Sequence, residues 1–323
     1  MTPRADRPSE RAARRSAAAR LPTVGIVAAS GYLPDPQTID RTARLFAAHG
    51  WRVQAGETCF ARHERFAGPD DLRADELQQF CTDRALDLVL AARGGYGLTR
   101  LLDRIDFGAI RAAGRLICGY SDFTAFNLAL LARAGGHSLH GPSATDFGAE
   151  SPDEFTVTGF FDTVQALRAE GSYRAAFDAD GPDLSLRGLL WGGNLALVCA
   201  LLGTPHFPRA DQVRGGILFL EDVNEPAYKI ERMLLQLEQA GVLGRQRAVL
   251  LGRFDPVTPM PNDNGFSLDG VIAALRARLP VPVVTGLPFG HVARKLTLPY
   301  GARLQLTVAE GQATLSGTRL GMD

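Results

Sequence analysis

Within the first 140 residues, short apolar runs alternate with segments of helical period, and this alternation limits the fold more than any other feature of the chain. Val24-Gly25-Ile26-Val27-Ala28-Ala29 reads as a buried strand ending at Ser30-Gly31. A helix over 38–49 follows and is stopped by Gly50. Trp51-Arg52-Val53 starts the next strand, and 70–84 is a helix whose acidic opening suits its dipole. The run 86–92 is a further apolar strand, ending in Arg93-Gly94-Gly95-Tyr96-Gly97, with a short helix expected over 98–105. Leu116-Ile117-Cys118 turns at Gly119-Tyr120-Ser121 into a helix over 122–134, and a strand lies at 138–140. Strands alternating with helices predict a parallel, doubly wound sheet. Such sheets bind ligands outside the carboxyl ends of their strands, at a topological switch point. The Gly94–Gly97 loop and Ser121 both fall on that edge.

The second half has a different texture. A helix over 152–170 leads into a Gly/Asp/Pro-rich stretch, 171–182, where a domain boundary is expected. Helices at 194–202, 227–241 and 268–279 then alternate with strands at 216–221 and 247–254. The chain closes with β-rich sequence at 296–298, 303–308 and 312–316, with hairpin signals at Pro299-Tyr300-Gly301 and Glu310-Gly311. The reading is therefore a tail (1–20), an α/β N-terminal domain (21–150), a connecting helix and linker (151–182) and a mixed, β-rich or barrel-like C-terminal domain (183–323).

Composition narrows the function classes. The 323 residues suffice for one large or two ordinary domains, and 46% hydrophobic with 22% charged residues describes a globular protein. A formal net charge of zero argues against a nucleic-acid-binding surface. The basic residues are nearly all arginine, Lys229 and Lys295 being the lysines, which points to coding bias. Cys59, Cys81, Cys118 and Cys199 lack CxxC spacing, so neither a zinc site nor a disulfide framework is expected, and a reducing compartment fits. Residues 1–20, rich in Arg, Ala, Ser and Pro, read as a disordered tail, with an organellar transit peptide as the alternative. No later run is apolar enough to be a membrane span.

Three strand ends carry candidate chemistry. Ser121 sits on a strand-to-helix turn, where a helix N-terminus favours negative charge; it is either a nucleophile or an N-cap. Its flanks miss G-x-S-x-G, because Phe123 stands where the second glycine belongs. Glu221 ends the strand Ile217-Leu218-Phe219-Leu220 and is followed by Asp222; it reads as an orienting carboxylate or a surface turn. His291 leaves Leu287-Pro288-Phe289-Gly290 and is a general-base candidate, while His137, His140 and His206 stay open. The loop 93–97 is neither G-x-G-x-x-G nor a P-loop, but its bare amides suit half of an oxyanion hole, with the Asp122 N–H as the other half. No HExxH or clustered His/Asp spacing supports a metal.

Taken in order, these pieces resemble the LD-carboxypeptidase family of serine peptidases. The blocks that carry the resemblance are Ala92–Gly97, Gly119–Asp122, Trp191-Gly192-Gly193-Asn194-Leu195, Phe219–Pro226 with the following Ile230–Leu234, and Gly286–His291 with Leu296–Gly301. One departure is Ala29 before Ser30, where the family often has proline. The resemblance implies a Rossmann-like N-terminal domain and a smaller β-rich C-terminal domain. It makes Ser121 the nucleophile, His291 the base and Glu221 its partner, with Gly94 or Gly95 and Asp122 forming the oxyanion hole. It also implies a cytoplasmic, commonly homodimeric enzyme that takes no cofactor, binds neither nucleic acid nor membrane, and removes the terminal D-alanine from murein tetrapeptides. Arg93 is a candidate for the substrate carboxylate, with Tyr96 and Trp191 as further substrate-binding candidates. The rivals are a microcin-immunity-type peptidase acting on aminoacyl nucleotides, for which Trp191 and Tyr228 offer aromatic surfaces, and a non-enzymatic small-ligand-binding α/β protein. An NAD-linked dehydrogenase is disfavoured by the missing fingerprint.

Overall fold

The computed structural model describes residues 20–318, so the expected tail lies, apart from Arg20, outside the described residues. Among the described residues, thirteen strands, β1 (Thr23–Val27), β2 (Arg52–Ala55), β3 (Leu88–Ala91), β4 (Leu116–Cys118), β5 (Ser138–His140), β6 (Tyr173–Asp178), β7 (Leu184–Asn194), β8 (Ile217–Glu221), β9 (Ala248–Leu251), β10 (Val283–Thr285), β11 (Leu298–Tyr300), β12 (Arg303–Ala309) and β13 (Gln312–Gly317), form two sheets. The first is six-stranded, ordered β11-β5-β4-β3-β1-β2, with β1 to β5 parallel and β11 antiparallel at the edge. Its strand order reverses between β1 and β3, so the loops after these two strands flank a switch-point crevice. β1, β3 and β4 are fully buried, which accounts for their continuous apolar runs.

The second sheet is seven-stranded, ordered β10-β9-β8-β7-β12-β13-β6. The long β7 joins its two halves. Residues 184–189 pair antiparallel with β12, and 190–194 pair parallel with β8. The segment that follows edge strand β6 meets the other edge strand, β10, at one antiparallel bridge, Asp180 with Thr285, which closes one corner of the sheet. The molecule is thus a two-domain α/β protein, with a mostly parallel first sheet and a mixed second one.

Two local readings change. The stretch 171–182 is no plain linker, since β6 occupies 173–178 and pairs with β13. Its alternation, with Tyr173 and Phe177 buried and Arg174 and Asp178 exposed, was present in the sequence but hidden by flanking Gly, Asp and Pro. The short helix expected over 98–105 is two 3-10 turns, Leu98–Arg100 and Leu102–Arg104. A segment this short gains too few i→i−4 bonds to hold an α-helix.

A buried arginine pins the loops that face the crevice. The Arg73 guanidinium, wholly buried, donates to Ala29 O (2.5 Å), Gly97 O (3.2 Å) and Gly68 O (3.1 Å), and pairs with Asp70. Burial lowers its pKa, and the Asp70 bond opposes that shift. Arg73→Ala strands these acceptors in a dry site, and the expected cost is about 3 kcal/mol. Urea unfolding of the two proteins checks this, and a change under 1 kcal/mol would contradict it.

Candidate active site

Ser121 takes a left-handed backbone, φ 63°, where strand β4 gives way to helical turns. A non-glycine residue there stores about 1 kcal/mol or more of strain. The kink starts a 3-10 turn, Ser121–Phe123, which runs into the helix Thr124–Ala134. This overturns the N-cap reading. Ser121 is the first residue of the turn rather than its cap, the cap positions are Tyr120 and Phe123, and neither makes a side-chain cap bond. The Ser121 hydroxyl instead lies 2.8 Å from Nε2 of His291.

The other ring nitrogen of His291, Nδ1, lies 2.8 Å from Oε2 of Glu221. Glu221 closes β8 with its side chain 1% exposed, and His291 follows β10 in a loop, 18% exposed. A carboxylate at Nδ1 holds the proton there and leaves Nε2 as an acceptor, so the Ser121 hydroxyl donates to it. The three side chains therefore form one hydrogen-bonded chain across the junction of the two sheets. Asp222, beside Glu221, accepts from Asn194 Nδ2 (3.0 Å) and from the backbone N–H of Val223 and Ala196. Burial, with Glu221 adding to it, pushes the Asp222 carboxyl up to about 6.

The glycine loop meets Ser121 directly. A methyl group on Gly94 would fall 2.6 Å from both Cβ and Oγ of Ser121 and 3.2 Å from the Asp122 amide nitrogen, so no larger residue fits. The Asp122 carboxylate turns away into the core. It accepts from Ser30 Oγ (2.6 Å) and from Leu98 N (2.9 Å), tying together the loops after β1 and β3. Burial raises its pKa against those bonds. Arg93 stands beside this loop, half-buried, with one N–H donated to Tyr32 O (2.7 Å) and no ion pair among the described residues.

Sequence reasoning missed the group that holds His291 from its flank. The ring of Tyr120 lies 5.2 Å from the imidazole, and its hydroxyl accepts from Lys295 Nζ at 3.0 Å. Lys295 is buried and also pairs with Asp146, whose other oxygen closes a capping box with Ser143. Lysine is rare in this arginine-rich chain, and that rarity was the available signal. His140, one of the open histidines, lies in the core, packed edge-on against Phe219 and at a tilt against Phe289 and Tyr300. Burial, aided by His291 and Lys295, lowers its pKa to about 3.

Other candidates stand apart. Trp191 is wholly buried, donates its indole N–H to Gln246 Oε1 (3.1 Å) and packs on Phe207, so it offers no face to a ligand. Tyr96 is 46% exposed at the glycine loop, against Phe66. Tyr228 is exposed at the start of the helix Ala227–Gln239. Burial raises the pKa of all four thiols, which weakens them as nucleophiles.

Residues 24–141 match the LD-carboxypeptidase N-terminal domain and 187–306 match the C-terminal domain of the same family. A putative carboxypeptidase of Streptomyces coelicolor is 38% identical over 303 residues, 90% of this chain and 92% of that protein. The murein tetrapeptide carboxypeptidase of Pseudomonas aeruginosa is 32% identical over 297 residues, covering 87% and 89%. The crystal structure of muramoyltetrapeptide carboxypeptidase from Oxalobacter formigenes superposes with a TM-score of 0.83 at 38% identity, covering 91% of this chain and 98% of that one. The microcin C7 self-immunity protein MccF shares the fold, with a TM-score of 0.81 at 21% identity, covering 93% and 97%.

Two outcomes follow from this geometry. Gly94→Ala displaces the Ser121 side chain, and a shift of about 1 Å lowers reactivity on the order of 100-fold. The rate of Ser121 labelling by a fluorophosphonate measures it. His140, neutral when folded and titrating near 6.5 when unfolded, takes up its proton first in the unfolded state. Its contribution to folding stability therefore falls as pH drops from about 6.5 toward 3, by up to about 1.4 kcal/mol per pH unit, while the raised Asp222 carboxyl acts in the opposite sense below about pH 6. His140→Phe should flatten that slope in urea titrations at pH 7, 6 and 5, with the shift of His137 in the same direction supplying part of what remains.

Proposed function

The chain belongs to the LD-carboxypeptidase family of serine peptidases, and from that premise we propose that it removes the terminal D-alanine from murein tetrapeptides through Ser121, His291 and Glu221. The observation that carries this reading is the single imidazole hydrogen-bonded at one nitrogen to Ser121 Oγ and at the other to a buried carboxylate. The relatives above 30% identity that are named for murein peptides supply the substrate class.

In the proposed reaction the Ser121 oxygen attacks the carbonyl carbon between the L-centre of the diamino acid and D-alanine, while His291 Nε2 takes the hydroxyl proton. The carbonyl oxygen becomes an oxyanion beside the amides of Asp122 and of Gly94 or Gly95, at the positive end of the helical turns. Collapse breaks the C–N bond, and His291 returns the proton to the departing amine. Water then attacks the acyl-serine with the same histidine as base, releasing the tripeptide and freeing Ser121. Glu221 keeps the proton on Nδ1 and stabilises the imidazolium that forms in each half. The Tyr120 ring, clamped at its hydroxyl by Lys295, limits tilting of the imidazole.

Arg93 is proposed to hold the terminal carboxylate of D-alanine, because its guanidinium stands beside the glycine loop with one donor engaged and no carboxylate partner among the described residues. The aminoacyl-nucleotide reading draws less support, since of its two aromatic candidates the Trp191 indole is in the core, which leaves the exposed Tyr228 alone to stack on a base.

Mass spectrometry of a murein tetrapeptide should show loss of one D-alanine with the wild-type protein and none with Ser121→Ala. Glu221→Gln, which disturbs the tautomer but keeps the shape, should lower kcat by about 10⁴-fold. Arg93→Ala should raise KM about tenfold or more with kcat little changed. An unchanged KM would remove Arg93 from the site, and faster turnover of an aminoacyl-sulfamoyl adenylate than of tetrapeptide would replace the murein reading.

A further inference from the structure

A large cavity, about 1370 Å³, opens between the helix Glu154–Glu170 and the outer face of the antiparallel part of the second sheet. It is separate from the crevice at Ser121. The strand register fixes one wall. Arg187 on β7 pairs with Gln305 on β12, Gln305 with Ser316 on β13, and Ser316 with Arg174 on β6. These four residues form one row across four strands, arginine at each end and neutral polar side chains between. Three strand spacings put the ends about 14 Å apart. Arg303, two residues from Gln305 on the same face, is a diagonal neighbour of Arg187. Arg294 enters from the loop after His291, its guanidinium 3.8 Å over the ring of Phe155.

None of these four arginines makes an ion pair among the described residues, although the chain pairs many of its other arginines with carboxylates. Like charges placed side by side on a sheet repel unless something neutralises them. Two hydroxyls on the cavity wall, those of Tyr173 and Thr297, are buried and have no hydrogen-bond partner among the described residues. The facing helix contributes Glu154 and Asp162, and Asp153, whose carboxylate already accepts from Thr156 N.

We propose that this cavity is a second ligand site, taking an elongated anion whose carboxylate or phosphate groups lie along the arginine row and whose hydroxyl or amine donors face the helix. Guanidinium forks suit both kinds of oxyanion, and a cavity of this size holds a ligand several residues or sugars long. The site borders the catalytic loop from behind. Thr156 Oγ1 donates to Ala293 O (2.7 Å) and accepts from Lys295 N (2.8 Å), so the segment with His291 at one end carries Arg294 on the cavity wall.

Calorimetric titration of the full chain at fixed physiological ionic strength tests the proposal, with triglutamate as the carboxylate probe and inorganic tripolyphosphate as the phosphate probe. Saturable binding of either at one site is expected, and the probe that binds tells which oxyanion the site takes. Arg187→Ala/Arg303→Ala should weaken it at least about tenfold. Arg187→Lys/Arg303→Lys, which keeps the charge without the fork, should weaken it less. Ser121→Ala should bind as wild type does, which separates this site from the proposed reaction. The arginine side chains are exposed, so the variants should keep their thermal midpoint. No saturable binding of either probe, unchanged affinity in the double alanine variant, or a solution dimer that buries Arg187 and excludes both probes would overturn the proposal.

Discussion

The close approach of the two sheets at Gly193 governs where every functional group sits. A Cβ there would meet His140 Cε1 and the Thr124 hydroxyl at 2.8 Å, so only glycine lets β7 lie against the start of the helix Thr124–Ala134. Around that contact the halves are bonded directly. Asn194 N donates to Thr124 Oγ1 (3.1 Å), and the Tyr300 hydroxyl on β11 meets both the N–H and the C=O of Gly192 at 3.3 Å. β11 itself, from the C-terminal part of the chain, completes the first sheet by pairing with β5. The junction is therefore sewn by backbone groups and buried hydroxyls, with Lys295–Asp146 buried beside them and His206 Nε2 3.0 Å from an exposed Asp103 carboxylate, and a hydrogen-bond chain as short as Ser121–His291–Glu221 can span it.

Burial does much of the remaining electrostatic work. The region holds several ionisable groups away from water, and each is placed by hydrogen bonds that fit one protonation state. Asp122 accepts from Ser30 and Leu98, Asp222 from Asn194 and two amides, and Lys295 faces Asp146 and the Tyr120 hydroxyl. Unpaired, each would be expensive in a dry interior. Paired, they fix the loops after β1, β3 and β4 relative to one another. Rigid placement is what a hydrolytic site needs, because hydrogen bonds and dipoles aimed at a developing charge help most when they need not move.

Much of this could be read beforehand, and the reasons differ from element to element. β3 and β4 were legible because both faces are buried, so every residue is apolar. The ends of β4 and β8 stood out because a polar residue follows an unbroken apolar run, as Ser121 and Glu221 do. β6 was not legible, since an edge strand with one exposed face and Gly, Asp and Pro neighbours looks like a linker. Trp191 was misleading, because an aromatic in a distinctive block looks functional until its burial is known. Its neighbours Gly192 and Gly193 are set by the sheet contact instead. Lys295 and His140 carried no local pattern at all, since their partners lie more than ten residues away in sequence, from Asn127 for His140 to Tyr120 and Asp146 for Lys295.

By itself the sequence determined the alternation of strands and helices, the mixed β-rich second half and the residues standing at strand ends, because these depend on period, burial and turn chemistry within a few neighbouring residues. The order of its blocks also carried the family. Only the tertiary structure decided that Ser121 is the first residue of its turn and faces His291, that Glu221 reaches the far side of the same ring, that Trp191 is core, and that arginines from four separate segments, without ion pairs among the described residues, gather along one cavity. Those facts depend on contacts between residues up to 170 positions apart, and no local pattern encodes such a distance.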